Sequence, residues 1–363
     1  MVDLRNDFQP DYAIPPGEIL EYELESRAMS ISELASRAGI TPKHIINIIN
    51  ARVALTSNIA IKLEPVLGKP LRYWLNLEAL YQENLARIRA NEQLGKDVEW
   101  LKRIPLTEMR KFEFVKKFTD PKDQLAEVLK FFGVASVEQW QAVWSKKSQR
   151  VAYRQTQRYE ILPEAVTSWL RQGEICAAKI QTQPYNKARF KAVLSDIRSI
   201  TLVDVDNLVD KVTSLCASAG VAVVFVPMLP KTGKSGATFW LSDKPVIMLS
   251  LRYKSNDHLW FTFFHEAGHI LLHGKKAIFL ESPKGPRKID VKEREANEFA
   301  EDILIPGAKW QSFIEGNNFT EHSIKLFADQ IGIASGIVVG RLQRKKLLEW
   351  NRFNDLKVWY EWT

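Results

Sequence analysis

The chain has 363 residues, 45% hydrophobic and 26% charged, a composition that suits two or three soluble globular domains with sizeable cores. No run approaches the roughly 18 apolar residues that a membrane span needs, and the acidic, interrupted start does not read as a secretory signal. With only Cys176 and Cys216, in no metal-ligand spacing, free thiols in a reducing cytoplasm and no membrane partner are expected.

The net charge of +8 is unevenly spread: residues 1–80 carry −2, residues 81–200 carry +8 and residues 201–363 carry +2. The surplus therefore sits in the middle. A basic segment can attract nucleic acid or an acidic protein, or can simply form a solvated helical face.

In the first region, Ser30-Ile-Ser-Glu33 reads as a capping box opening a helix with Leu34, Ala35 and Ala38 inward;. Gly39 can end that helix in a left-handed conformation. Thr41-Pro42 then opens a second helix, Thr as cap and Pro at its first position;. Helix, short turn and helix is the helix-turn-helix arrangement. In the second helix Ile45, Ile48 and Ile49 should pack inward. Thr41, Lys43, His44 and Asn47 should face a DNA major groove, with Arg52 meeting a phosphate. A helix-turn-helix used only for protein contacts is the competing reading. From PPGEILEYELESRAMSISELASRAGITPKHIINIIN to LGKPLRYWLNLEALYQ, residues 15–81 resemble the HigA-type antitoxins of the lambda-repressor-like family. The resemblance implies a homodimer on a double-stranded operator near its own promoter. The segment departs from the family at Ala51, where Gly is usual, and in its negative charge.

Residues 82–200 read as a basic, mostly helical middle segment, with helices at 123–132 and 163–171 separated by turns at Asp120-Pro121, Gly133 and Pro184-Tyr185-Asn186;. From residue 201 the pattern changes. Leu208 to Ala219 predicts a helix stopped by Gly220, and VAVVFV (221–226), GATFWLS (236–242) and PVIMLSL (245–251) predict strands;. An apolar helix at 258–273 follows, and residues 346–363 form a tail. The fold class is α+β: an all-α N-terminal domain, a helical middle, and a 201–345 domain whose small sheet packs on the apolar helix.

That helix contains His265-Glu266-Ala267-Gly268-His269. Histidines at i and i+4 share one face and can reach a single Zn²⁺. Glu266 is turned toward the open position, where it can take a proton from a water acidified by the metal. Ionisable groups on a helix otherwise built for burial need a compensating interaction, and a metal supplies it. A third ligand must come from elsewhere. Glu293 shares a helix face with Ala296, Asn297 and Ala300, so it can bind metal while Asn297 supports a ligand histidine; Glu295 is the competing acid, pointing about 160° away. His273 can cap or support the site. His322, Tyr253 and His258 are candidates for stabilising an oxyanion.

The segments FTFFHEAGHILLHG, EREANEFAEDILIP and FADQIGIASGIVVGRLQ, with SGATFWLS and MLSLRYKSNDHLWFTFF before them, resemble the ImmA/IrrE metallopeptidases over about 205–345. There a gluzincin-like pattern pairs HExxH with E-x-x-x-D/N, matched here by Glu293 and Asn297. The resemblance implies a zinc endopeptidase, fused to a DNA-binding regulator, that cuts a repressor- or antitoxin-type protein or itself. The alternative is an antitoxin or regulator that binds DNA and a toxin, its peptidase fold serving as sensor or platform.

Overall fold

A computed structural model of the chain describes residues 12–145, 162–202, 207–233, 235–250, 253–277 and 291–361. Residues 146–161 of the expected middle segment, and Leu251 at the end of the expected third strand, lie outside them. The chain divides into two compact units, Met1–Glu99 and Trp100–Thr363. Among the described residues no single helix is long and apolar enough to cross a membrane.

The first unit is built of α1 (Pro16–Ser26), α2 (Ile31–Ala38), α3 (Pro42–Ile49), α4 (Ser57–Leu67) and α5 (Leu71–Asp97). Leu20, Leu34, Ile45, Leu63 and Trp74 form its core. Ser30 accepts from the Glu33 N–H at 3.1 Å, Gly39 closes α2 at φ +61°, and Thr41 accepts from the His44 N–H at 3.3 Å. The expected capping box is therefore half built: the Glu33 carboxylate turns to Arg37, one helical turn on. A reciprocal bond to a backbone amide competes poorly with a charged partner. Ala51 sits at φ +52°, the left-handed region that glycine adopts without strain.

The second unit starts earlier than expected. It holds α6 (Pro121–Phe132), α7 (Pro163–Lys179), α8 (Lys187–Ile200), α9 (Leu208–Ser218), β1 (Ala222–Phe225), β2 (Gly236–Leu241), β3 (Lys244–Leu249), α10 (Asn256–Gly268), α11 (Val291–Leu304), α12 (Gly307–Glu315), α13 (Glu321–Ile331) and α14 (Ser335–Arg344). Residues 82–97 continue α5. Ala165, Trp169, Gly173 and Ala177 give α7 a face of period four that lies on the sheet. There the Trp169 indole donates to the Val226 carbonyl at 3.1 Å, and a Cβ on Gly173 would strike the Met248 sulfur. The tail is likewise tied in, with Leu348 and Tyr360 buried and Lys357 paired with Asp257 at 3.0 Å.

The sheet order is β1-β3-β2, β1 parallel and β2 antiparallel to β3, with Val223 and Thr238 both in register with Ile247. β1 and β3 are almost wholly buried, whereas β2 is half-buried along its length and lies at one edge. Trp260, Phe263, Phe264 and Ala267 of α10 enter the core. Arg198 of α8 donates to the Ile303, Leu304, Ile331 and Gly332 carbonyls at 2.7–3.3 Å. Those groups end α11 and α13 and have no helical partner of their own.

Two substitutions in the first unit should act in opposite directions. A Cβ on Gly17 would fall 2.2 Å from the Ile48 carbonyl, so Gly17→Ala should destabilise the unit by about 1–3 kcal/mol. Ala51→Gly should stabilise it by about 0.5–1 kcal/mol, the left-handed strain relieved less glycine's extra chain entropy. Hydrogen exchange of α1–α4 amides in the full chain measures both; a neutral Gly17→Ala would contradict the close approach of α1 to α3.

Candidate metal centre and DNA-contacting helix

α10 buries Leu259, Trp260, Phe263, Phe264 and Ala267 in the core, while His265 and, one residue past its end, His269 meet α11 and Glu266 meets β2. α11 lies close against it because the contact residues are small: a Cβ on Gly268 would come within 3.3 Å of the Ala296 Cα, and Ala296 and Ala300 are fully buried. This approach brings Glu293 onto the histidines. The His265 Nε2 is 3.1 Å from the His269 Nε2 and 3.2 Å from one Glu293 oxygen; the His269 Nε2 is 3.5 Å from the other.

These separations can be tested against a metal. Ligand atoms at roughly 2.0–2.1 Å from tetrahedral zinc are about 3.3 Å apart, and the three observed edges scatter around that figure. The hydrogen bonds behind the ligands point the same way. The His265 Nδ1 lies 3.1 Å from the Asn297 amide oxygen, which can only accept;. The His265 Nδ1 therefore holds the proton and its Nε2 presents a lone pair. The Glu295 carboxylate lies 2.9 Å from the His273 Nε2, and the His273 Nδ1 lies 3.0 Å from the His269 Nδ1. With Glu295 accepting from His273, and His273 accepting from His269, the His269 Nε2 also presents a lone pair. Two lone pairs and a carboxylate then face one another, an arrangement that a divalent cation satisfies. Among the described residues, His265, His269 and Glu293 form the one cluster with metal-binding spacing.

The charges agree with that demand. Burial alone would raise the Glu293 carboxyl, but the His265 and His269 imidazoles hold it well below the usual carboxylate range. Burial likewise opposes a charge on His265, yet Glu293, Glu266 and Asn297 together raise it above an ordinary histidine;. Burial lowers His273, with Glu295 pulling the other way.

Glu266 is buried and held from the sheet side. The Thr238 hydroxyl on β2 donates to its carboxylate at 2.6 Å, and a Cβ on Gly236 would lie 2.9 Å from the same carboxylate. Neither Thr238 nor Gly236 was expected from the sequence, because both reach α10 only once β2 is placed beside it. The contact made by Glu295 was also missed: its carboxylate stands on His273, outside the His265–His269–Glu293 cluster. Its only signal is the spacing of His273 four residues after His269, where α10 passes into a π-helical turn, His269–His273. Such turns recur at functional sites.

The three candidate oxyanion donors do not share one element. His258 lies two turns before His265 on α10, on the order of 10 Å along the axis, and stacks on Tyr253 at 4.3 Å. Burial holds His258 below the ordinary histidine value, with Asp257 opposing and Arg344 and Lys357 reinforcing. His322 is exposed in the first turn of α13.

On α3, Ile45 and Ile48 are buried and Ile49 is partly buried against the core. Lys43 and Arg52 are exposed and His44 and Asn47 half-buried, while Thr41 spends one lone pair on the helix cap. Ile46, absent from the expected surface, is 41% exposed on the outward side. A side chain of that kind can meet a thymine methyl.

Comparison with known proteins finds a match within each unit. Residues 216–331 match the peptidase family model described as the IrrE N-terminal-like domain, and residues 20–74 match the helix-turn-helix model. The HTH-type transcriptional regulator YddM of Escherichia coli (strain K12) is 35% identical over 63 residues, 17% of this chain and 67% of that protein. The regulator YbaQ of the same strain is 34% identical over 84 residues, 22% of this chain and 74% of the relative. A solved addiction module antidote protein of the HigA family from Coxiella burnetii is 29% identical, covers 25% of this chain and 92% of its own, and has a TM-score of 0.20.

The geometry ranks three substitutions by their effect on zinc affinity. Glu293→Ala should weaken it most, by removing a donor. Asn297→Ala should cost about 10–100-fold through the freed His265 ring. Glu295→Ala should cost less than Asn297→Ala, because it acts on His269 through His273. Competition with a chromophoric chelator reads all three; a Glu295→Ala loss equal to that of Glu293→Ala would exchange their roles.

Proposed function

We propose, for a chain that belongs to the HTH-type transcriptional regulators and joins a helix-turn-helix domain to an IrrE-like peptidase domain, that the second unit is a zinc endopeptidase in the service of the first. The observation that carries this reading is the convergence of His265, His269 and Glu293 at ligand spacing, with Glu266, the neighbour of His265 in the chain, held by Thr238. The substrate class that fits best is a repressor- or antitoxin-type protein with a helix-turn-helix fold, or the chain itself.

His265, His269 and Glu293 would hold the ion. Zinc bound there supplies Lewis acidity toward a peptide carbonyl and lowers the pKa of a water. The remaining work falls to the chain. Glu266 takes the proton from the attacking water and passes it to the leaving amine. Thr238 fixes the Glu266 carboxylate by donating to it, and Gly236 leaves it room. β2 offers an open edge alongside, and an extended peptide can add to such an edge as a further strand. The apolar walls of α10 keep the site poor in water, which strengthens each of these interactions.

For the first unit we propose that α3 enters the major groove, with Asn47 reading a base and Lys43 and Arg52 meeting phosphates. One helix-turn-helix reads few bases, so the bound species would be a dimer on an inverted repeat. The chain's own promoter is the operator to try first. Because residues 1–80 carry −2, part of the attraction to DNA would come from the basic residues beyond them.

Two experiments separate these proposals. The purified chain should hold about one zinc, retained by Glu266→Gln and lost in the His265→Ala, His269→Ala double variant. Incubated with candidate repressors, the wild type should cut and Glu266→Gln should not; equal cutting by both would sink the role given to Glu266. In gel-shift titrations at two salt concentrations, Asn47→Ala should cost about 1–3 kcal/mol and blur sequence preference. Arg52→Ala should weaken all sequences alike and reduce the salt slope by about one. Equal affinity for operator and scrambled DNA, indifferent to Asn47→Ala, would make the first unit a protein-contact module.

A further inference from the structure

A concavity opens where α10, the C-terminal end of α11 and α14 meet, on the N-terminal side of His265 along α10. It measures about 40 Å³, and Phe261, Leu304, Ile337 and Trp350 supply its apolar walls. Phe261 joins it to the metal centre: its ring lies 6.2 Å from the His265 ring, nearly parallel to it. Four residues separate the two on α10, about 6 Å along the axis. An extended peptide covers that distance in about two residues. A side chain entering this concavity would thus sit within about two residues of the metal centre.

The charged groups around the opening are unequally committed. Arg341 donates to the Glu301 and Ile305 carbonyls at 2.9 and 2.8 Å and to the Glu301 carboxylate at 3.4 Å. Glu301 is also paired with Lys345 at 2.9 Å, and Asp257 with Lys357 at 3.0 Å. Arg344 differs. Its guanidinium lies on the outer face of Phe261, 3.5 Å from the ring centroid, its residue is exposed, and no hydrogen bond or ion pair engages it among the described residues. Stacking fixes such a group while leaving its N–H donors in the ring plane open to a carboxylate.

We propose that this concavity binds the aliphatic side chain of a peptide, and that Arg344 at its mouth pairs with an acidic residue next to that side chain. Size decides the side chain. Against the roughly 150 Å³ of a cavity that encloses benzene, about 40 Å³ suits the tip of a valine, leucine or isoleucine better than a whole ring. Arg344 decides the neighbour: among the described residues it is stacked on Phe261 and drawn by the Glu301 and Asp257 charges, but no hydrogen bond or ion pair takes up its N–H donors. Resting on the peptidase reading above, this makes the concavity the specificity pocket of that site, selecting an aliphatic–acidic pair beside the bond to be cut.

The test uses full-length Glu266→Gln protein loaded with zinc, so that peptides are bound without being cut, and a phage-displayed library of random peptides. Selected peptides should be enriched in an aliphatic residue adjacent to Asp or Glu. Arg344→Gln in the same background should reduce the acidic enrichment about fivefold, the scale of a half-exposed ion pair, and leave the aliphatic preference. Trp350→Ala, which removes an exposed wall, should admit aromatic rings. A library that yields no aliphatic–acidic pair, or one whose acidic preference survives Arg344→Gln, overturns the proposal. The selected peptides are then given to the zinc-loaded wild type: if they bind with the expected preference but stay whole, the peptidase reading falls while the pocket is supported.

Discussion

Two imidazoles and a carboxylate are brought together in this protein around a point that favours positive charge. Two imidazole nitrogens with outward lone pairs and one carboxylate stand 3.1–3.5 Å apart, and nothing in the protein chemistry of those groups makes that stable without positive charge between them. Much of the second unit can be understood as what enforces the arrangement. Small residues on α10 and α11 allow the helices to close, Asn297 sets the tautomer of His265, and the Glu295–His273 pair sets that of His269. Removing any of these would leave the two imidazoles and the carboxylate present but free to turn away.

Further from the centre, the same constraint is passed to the ends of the helices. Arg198 gathers the terminal carbonyls of α11 and α13 onto one guanidinium, so the helix that carries Glu293 and Asn297 is anchored at its far end by a residue of α8. Lys357, from the last stretch of the chain, neutralises Asp257 at the start of α10. A segment that looks like an appendage in the sequence thus stabilises the beginning of the helix on which both histidines stand. Loss of the tail should therefore be felt at the metal centre through a helix that it does not enter.

In the first unit, function and stability compete over a few residues. Thr41 caps α3 and also lies where DNA would be met; Ile46 remains on the outside of a helix whose other isoleucines turn inward. Ala51 adopts a backbone conformation that suits glycine better, a local cost carried immediately after the helix offered to DNA. Such strain is sustained only because the surrounding helices hold the turn in place.

Periodicity and punctuation made much of this legible in the sequence. The caps at Ser30 and Thr41, the glycine that ends α2, the three strands and the i, i+4 pairs His265/His269 and Glu293/Asn297 are local features, set by helix and strand geometry over a few residues. What tertiary structure decided lies between elements distant in the chain. Helix α7 belongs with the sheet because Trp169 and Gly173 fit against the end of β1 and β3, a match of shape that charge and pattern do not record. Thr238 reaches Glu266 across 28 residues, and Glu295 reaches His273 across 22. Helical periodicity can say which face a side chain occupies, but it cannot say what will be packed against that face, and the choice between a ligand and the residue that orients a ligand is made there.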